Sequence, residues 1–213
     1  MRFNSAQIQK IGKEIRSKVD GKTLFDEFSR GRYSTDASVY QIKPLGVVLP
    51  KDTNDVLSLM EYSQKNSVPL LARGGGSSQC GQTVGESVVL DYSKHQNKIL
   101  ELNVEEKYVW VQPGVVLDHL NDYLKPHGLW FPVDVSTSSR ATIGGMSANN
   151  SCGSRSLYYG NMVHNVLAIE AILDDGSIFQ FDQINKNYLA TKNNQDRLYK
   201  IIDKFIDVRQ KVG

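Results

Sequence analysis

Cysteine is scarce in this chain. The two cysteines among 213 residues, Cys80 and Cys152, are far apart and fit neither a zinc nor a redox spacing. A reduced, cytoplasmic protein is the simplest reading, with both cysteines as small apolar fillers beside glycine-rich stretches. Long apolar runs are missing too. No segment approaches the ~20 residues of a membrane span. The opening "MRFNSAQIQKIGKEIRSK" carries charge throughout and is no signal peptide. Neither sign of charge dominates: 25 Lys+Arg against 23 Asp+Glu leave +2, with no like-charge run. That argues against a basic nucleic-acid surface. No internal repeat or low-complexity segment is present, and the composition is that of an ordinary globular chain.

What is present is a series of short α and β signals. Ile8, Ile11, Ile15 and Val19 recur on one helical face behind Ser5, which is taken as the N-cap. "GVVLP" (46–50) reads as a buried strand and "KDTNDVLSLMEYSQKN" as a helix capped by Asp52 or Thr53. "VPLLAR" (68–73) reads as a second strand. Together they form a βαβ unit with parallel strands, and "SVVLDY" (87–92) adds another strand. Beyond residue 98, "KILELNVEEKYVWVQPGV" predicts a hairpin. "VVLDHLNDYLKPHG" predicts a helix stopped by Pro126 and Gly128. "NVLAIEAILDDGSIFQF" predicts a hairpin about Asp175–Gly176, and residues 182–195 are polar and irregular. Leu198, Ile201, Ile202, Phe205 and Val208 mark a terminal amphipathic helix. The expected architecture is α+β: two α/β lobes with mixed sheets and flanking helices, 1–100 and 101–213.

Glycine is concentrated rather than spread. "ARGGGSSQCGQ" (72–82) leaves the end of a predicted buried strand, where α/β folds place their ligands. Familiar phosphate motifs fail letter by letter. A G-x-G-x-x-G beginning at Gly74 meets Gln79 where it needs glycine. A phosphate loop ending in "GKT" (21–23) would need glycine at Arg16. Three glycines in a row still allow successive backbone N–H groups to converge on an anion, and Ser77, Ser78 and Gln79 add side-chain donors. A structural turn remains the alternative at this point. A second small-residue stretch holds Gly144, Gly145, Gly153 and Gly160, and suggests close approach to a flat ligand or to the other lobe. Packing of helix on sheet through small residues is its alternative.

Five segments occur in order: "YSTDASVY", "PLLARGGGSSQCGQ", "WFPVDVS", "TIGGMSANNSCGSRSLYYG" and "NVLAIEAILDDG". This series resembles the PCMH-type FAD-binding domain of the FAD-linked oxidases, the vanillyl-alcohol oxidase family. It is most similar there to the long bacterial D-lactate and D-2-hydroxyglutarate dehydrogenases, over roughly residues 30–182. The resemblance implies a two-lobed FAD-binding domain with FAD in the cleft. Arg73, Gly74, Gly75, Gly76, Ser77, Ser78 and Gln79, with Gly81 and Gln82, would wrap the pyrophosphate. Pro132, Val133 and Asp134 would border the flavin. Thr142, Gly144, Gly145, Ala148 and Asn149 would line the ring and ribityl region. Gly153, Ser154, Tyr159 and Gly160 would continue the cradle, with Val166 at the adenosine end. Valine at position 75 or 76 is expected to abolish FAD binding and leave the fold largely intact.

The implied reaction is hydride transfer from a D-2-hydroxy acid, D-lactate or D-2-hydroxyglutarate, to flavin N5. The implied electron acceptor is a quinone, a cytochrome or an electron-transfer protein. Covalent relatives often carry histidine in the glycine loop. Here Gly76 and Ser77 stand there, and His95, His119, His127 and His164 lie in no flavin-linking motif, so non-covalent FAD is expected. No catalytic base, metal ligand or nucleic-acid partner is assigned. The substrate (cap) domain, and any iron–sulfur region, are expected in a part of the enzyme this chain lacks, and the 213 residues in an inactive fragment. Location is expected in the cytoplasm or at the inner face of the membrane. A stand-alone flavin or electron-transfer module, an oxidase or reductase of another substrate class on the same fold, and a non-flavin interaction domain are the competing readings.

Overall fold

Asn4, not Ser5, begins the first helix. The computed structural model describes residues 3–182 and 197–212, and in it α1 spans Ser5–Arg16. Asn4 Oδ1 accepts from Gln7 N–H at 2.9 Å and Gln7 Oε1 accepts from Asn4 N–H at 2.8 Å. This reciprocal box satisfies two N–H groups that have no partner inside the helix. Ile8, Ile11 and Ile15 are buried on one face as their spacing predicts, whereas Val19 lies beyond the helix end.

Two elements carry no sequence signal: the short strand β1 (Lys22–Leu24) and helix α2 (Glu27–Arg32), capped by Asp26. The βαβ unit then follows as β2 (Gly46–Leu49), α3 (Thr53–Asn66, capped by Asp52) and β3 (Leu70–Arg73). β4 spans Val88–Asp91. The sheet order is β1-β2-β4-β3, with β4 parallel to both neighbours and β1 antiparallel at one edge. β2 and β3 are therefore parallel as predicted, but β4 is inserted between them. Every residue of β2 and β4 is buried, as befits parallel strands covered on both faces. In the β3–β4 register Arg73 stands opposite Asp91, at the carboxyl end from which the glycine loop departs.

β5 (Ile99–Asn103) and β6 (Tyr108–Val111) form the expected antiparallel hairpin. Its turn is braced by Glu106 N–H donating to Asn103 Oδ1 at 2.9 Å. α4 (Leu117–Leu124) passes directly into a 3-10 turn over Lys125–His127. Pro126 thus sits inside that turn rather than stopping the helix, because its fixed φ suits the first turn. Gly128, at φ +68°, makes the stop. Three short helices follow: α5 (Ile143–Ala148), α6 (Ser156–Tyr159) and α7 (Met162–Asn165). Leu117, Val133, Ala141, Met146 and Met162 form the core cluster that holds them, with Val135, Ile143 and Val166 packed against it.

The chain divides into two compact units, Met1–Val166 and Leu167–Gly213. Within the second, β7 (Ile169–Ile172) and β8 (Ile178–Phe181) form an antiparallel hairpin. Gly176 in its turn takes φ +82°. Helix α8 spans Arg197–Val212. Of its expected apolar face, Ile202 is buried while Phe205 and Val208 are exposed. The polar stretch, from residue 183 on, lies outside the described residues.

Candidate functional site

The two glycine-rich stretches meet, and the meeting accounts for part of the glycine run. A Cβ on Gly74 would strike the Thr142 hydroxyl, and one on Gly75 would strike the Arg140 carbonyl. Farther along, Gln82 Nε2 donates to Asn149 Oδ1 at 2.9 Å. Gly76 and Gly81 are glycine for a second reason: both are left-handed, at φ +65° and +75°. Ser78 Oγ bonds to Gln82 Oε1 and accepts from Cys80 N–H at 3.2 Å, closing the loop on itself. Between these contacts runs backbone that is neither strand nor helix. Among the described residues, no acceptor receives the backbone N–H groups of Gly75, Gly76, Ser77, Ser78 or Gln79. Five consecutive donors in a half-exposed, internally braced loop are suited to one multiply charged anion.

The second stretch is pinned to the chain that precedes α4. Leu117 N–H donates to Ala141 O (3.0 Å), Ile143 N–H to Val115 O (2.8 Å) and Gly144 N–H to Pro113 O (2.9 Å). Gly144 has no room for more than hydrogen, since a Cβ would lie 2.6 Å from Pro113 Cβ. Thr142, only 2% exposed, caps α5 through Gly145 N–H. Ala148 and Asn149, at the far end of that helix, are exposed.

Asp134 anchors the next turn. Its carboxylate accepts from the Ser154 hydroxyl at 2.8 Å and from Arg155 N–H at 3.1 Å. The Ser154 bond chiefly holds this carboxyl below the usual aspartate range. Gly153 must be glycine here because a Cβ would overlap the Asp134 carbonyl. Tyr159 meets Trp130 edge-on at 5.1 Å, and the Arg155 guanidinium lies 5.3 Å from the Trp130 ring centre. Gly160, at φ +77°, ends α6.

The side chains of some expected site residues point elsewhere. Val133 is fully buried in the core cluster, so of this trio the partly exposed Pro132 and Asp134 are the ones left to border a ligand. Val166 packs against the same cluster. Cys80 and Cys152 are exposed rather than packed as apolar fillers. Arg73 directs its guanidinium at backbone carbonyls: Thr35 O at 2.9 Å, Thr83 O at 3.1 Å and Tyr33 O at 3.4 Å. Below it, the Tyr33 hydroxyl donates to buried Asp91 at 2.7 Å. Burial, and then that bond, push the Tyr33 hydroxyl well above the usual tyrosine range. Sequence reasoning assigned no role to Tyr33 or Asp91. The available signal was a carboxylate ending an apolar strand.

Comparison with known proteins gives the same outline. The family described as FAD binding domain matches residues 44–182. D-2-hydroxyglutarate dehydrogenase of Haemophilus influenzae is 42% identical over 155 residues, covering 71% of this chain and 15% of that protein. Glycolate oxidase subunit GlcD of Bacillus subtilis is 35% identical over 177 residues, covering 81% of this chain and 38% of that protein. The chain thus spans less than two fifths of either relative. Among solved structures, alkyldihydroxyacetonephosphate synthase matches 88% of this chain and 36% of its own, with TM-score 0.69 at 20% identity. Physcomitrella patens BBE-like 1 matches 84% of this chain and 39% of its own, with TM-score 0.70 at 20% identity. The shared fold is the expected one, α+β of the vanillyl-alcohol-oxidase type.

Proposed function

The chain belongs to the FAD binding domain family, and from that premise we propose that it is the cofactor-binding portion of an FAD-dependent dehydrogenase oxidising a D-2-hydroxy acid. The observation that carries this reading is the run of five N–H groups, Gly75 to Gln79, that find no acceptor among the described residues. Converging amides neutralise a pyrophosphate without a lysine, which explains why a loop lacking every familiar phosphate motif suits a dinucleotide.

The residues present fit the group. Gly74 to Gln79 hold the pyrophosphate through backbone, braced by Ser78, Gly81 and Gln82. Pro132 and Asp134 border the flavin, and Gly145, Ala148 and Asn149 offer an exposed surface for the ring on a helix that Gly144 lets pack closely on Pro113. Gly153, Ser154, Tyr159 and Gly160 continue that wall, which Val166 supports through the core cluster. When bound, FAD supplies the two-electron oxidant for breaking the carbon–hydrogen bond at the carbinol carbon. The described residues contribute binding, orientation and exclusion of water around the dinucleotide. No histidine lies in the loop, so the cofactor is held without a covalent bond. D-2-hydroxyglutarate and D-lactate are the favoured substrates, by likeness to relatives bearing those names. Reducing equivalents pass to a quinone, a cytochrome or an electron-transfer protein. Among the described residues no helix is long and apolar enough to cross a membrane, which is compatible with a cytoplasmic or peripheral location.

Titration with FAD, FMN and riboflavin tests the loop directly. FAD should bind at least about a hundredfold more tightly than riboflavin, since several charge-assisted bonds depend on the pyrophosphate. Equal affinities would overturn the assignment.

A further inference from the structure

Arg73 stands at the mouth of the glycine loop, where a cation is readily taken for a phosphate ligand. Its surroundings argue otherwise. The guanidinium reaches Thr35 O and Tyr33 O on one segment and Thr83 O on the far foot of the loop. It lies 5.2 Å from the Tyr33 ring centre, beneath the face of Gly76 where a Cβ would overlap it. Tyr33 is fixed in turn by its bond to Asp91, which also accepts from Ser93 N–H (2.9 Å) and Oγ (2.6 Å). Asp36 ties the same two segments again, accepting from Thr83 Oγ1 at 3.0 Å and Ser38 N–H at 2.9 Å.

The charges point the same way. One cation faces two carboxylates, Asp91 and Asp36, so the cluster offers a passing anion no net positive field. What it offers is geometry. A planar fork can hold three carbonyls of two segments at fixed spacing, whereas a single ammonium on a flexible stem cannot. The carbonyls it joins are at residues 33–35 and 83, with β3 as the third support, so the two feet of loop 74–82 cannot drift apart.

We propose that Arg73, oriented by Tyr33 and Asp91, is a positioning residue that clips the feet of the 74–82 loop and sets the turn at Gly76, and that it does not ligate the cofactor's phosphates. This rests on the reading of the loop as an FAD site, but its first test does not need FAD.

In the full chain without flavin, ¹⁵N relaxation of Gly74–Gln82 is compared among wild type, Arg73→Gln, Arg73→Lys and Tyr33→Phe. Order parameters should fall from near 0.85 to below about 0.6 in Arg73→Gln, with Arg73→Lys close behind. FAD titration should show dissociation constants raised about tenfold to a hundredfold in both Arg73 variants and about threefold in Tyr33→Phe. The salt dependence of binding should stay unchanged, because no ion pair with phosphate is lost. Wild-type affinity in Arg73→Lys, or a shallower salt dependence in Arg73→Gln, would show direct phosphate contact and overturn the proposal. Should wild type take up no FAD, the functional reading fails while the relaxation data still decide the positioning role. Should Arg73→Gln not fold, Tyr33→Phe decides, with an unchanged loop refuting the assembly.

Discussion

Replacing Gly75 with alanine probes the contact between the two glycine-rich stretches with a single methyl group. The new Cβ would overlap the Arg140 carbonyl oxygen, lie 2.9 Å from its carbon and 3.6 Å from Ala141 N. Ordinary carbon contacts begin near ~3.5 Å, so one backbone must retreat by about 1 Å or more. Neither gives readily. Arg140 N–H and Ala141 N–H both bond to Thr137 O at 2.8 Å, Ala141 O is held by Leu117 N–H, and Ala141 and Thr142 are 7% and 2% exposed. Overpacking of this kind costs about 1–3 kcal/mol, which for a chain of this size lowers Tm by roughly 2–12 °C. The shift also moves the amides of residues 75–79, so FAD affinity should fall at least about tenfold for each 1.4 kcal/mol of binding lost. Gly31→Ala is the control: nothing lies within 4 Å of its Cβ and it is within α2. It should be neutral or stabilising by up to ~1 kcal/mol. Calorimetry and flavin titration on both variants suffice. A Gly75→Ala protein that melts with wild type and binds FAD equally would show that the stretches do not touch as described. The sequence-based expectation for Gly75, flavin lost with the fold intact, is thereby revised: this glycine is needed for packing as well as for the ligand.

Acid or heat denaturation should release all the flavin into the supernatant, and yellow colour remaining with the precipitate would refute non-covalent attachment. Asp55→Ala should destabilise by about 3 kcal/mol or more, because three N–H groups, of Asp20, Gly21 and Lys51, lose their acceptor; chemical denaturation measures it. The Asp134 carboxylate has a lowered pKa, so its support of Ser154 and Arg155 is full above the ordinary aspartate value of about 4 and is lost as pH falls through the lowered folded value. Trp130 fluorescence, reporting the neighbouring Arg155 and Tyr159, should therefore change at a pH below 4 in wild type, and Asp134→Asn should show the acid signal already at neutral pH. Burial pushes Tyr92 up to about 12; a spectrophotometric titration should find it still protonated at pH 11, where ordinary tyrosines near 10 have ionised.

Local chemistry was legible and long-range pairing was not. Ile8, Ile11 and Ile15, the Asp52 cap and the strand ending at Arg73 could be read because each depends on neighbours within a few residues. The insertion of β4 between β2 and β3 could not, since "GVVL", "LLAR" and "VVLD" are all short apolar runs and nothing in them selects a partner. β1 escaped because a three-residue edge strand has no periodicity. In the site, the glycines announced tight backbone, yet not which glycine served packing and which a left-handed turn. The Tyr33–Asp91 bond joins residues 58 apart. It was invisible for that reason, although both residues lay in segments that drew attention.

The joining of Gln82 to Asn149 across 67 positions has a consequence for synthesis. At ribosomal rates of ~5–20 residues per second, the glycine loop waits roughly 3–13 s after its own translation for the backbone against which Gly74 and Gly75 lie. A dinucleotide arriving earlier finds amides on an unbraced chain. Cofactor capture by the nascent polypeptide is therefore coupled to the arrival of the 140–149 stretch.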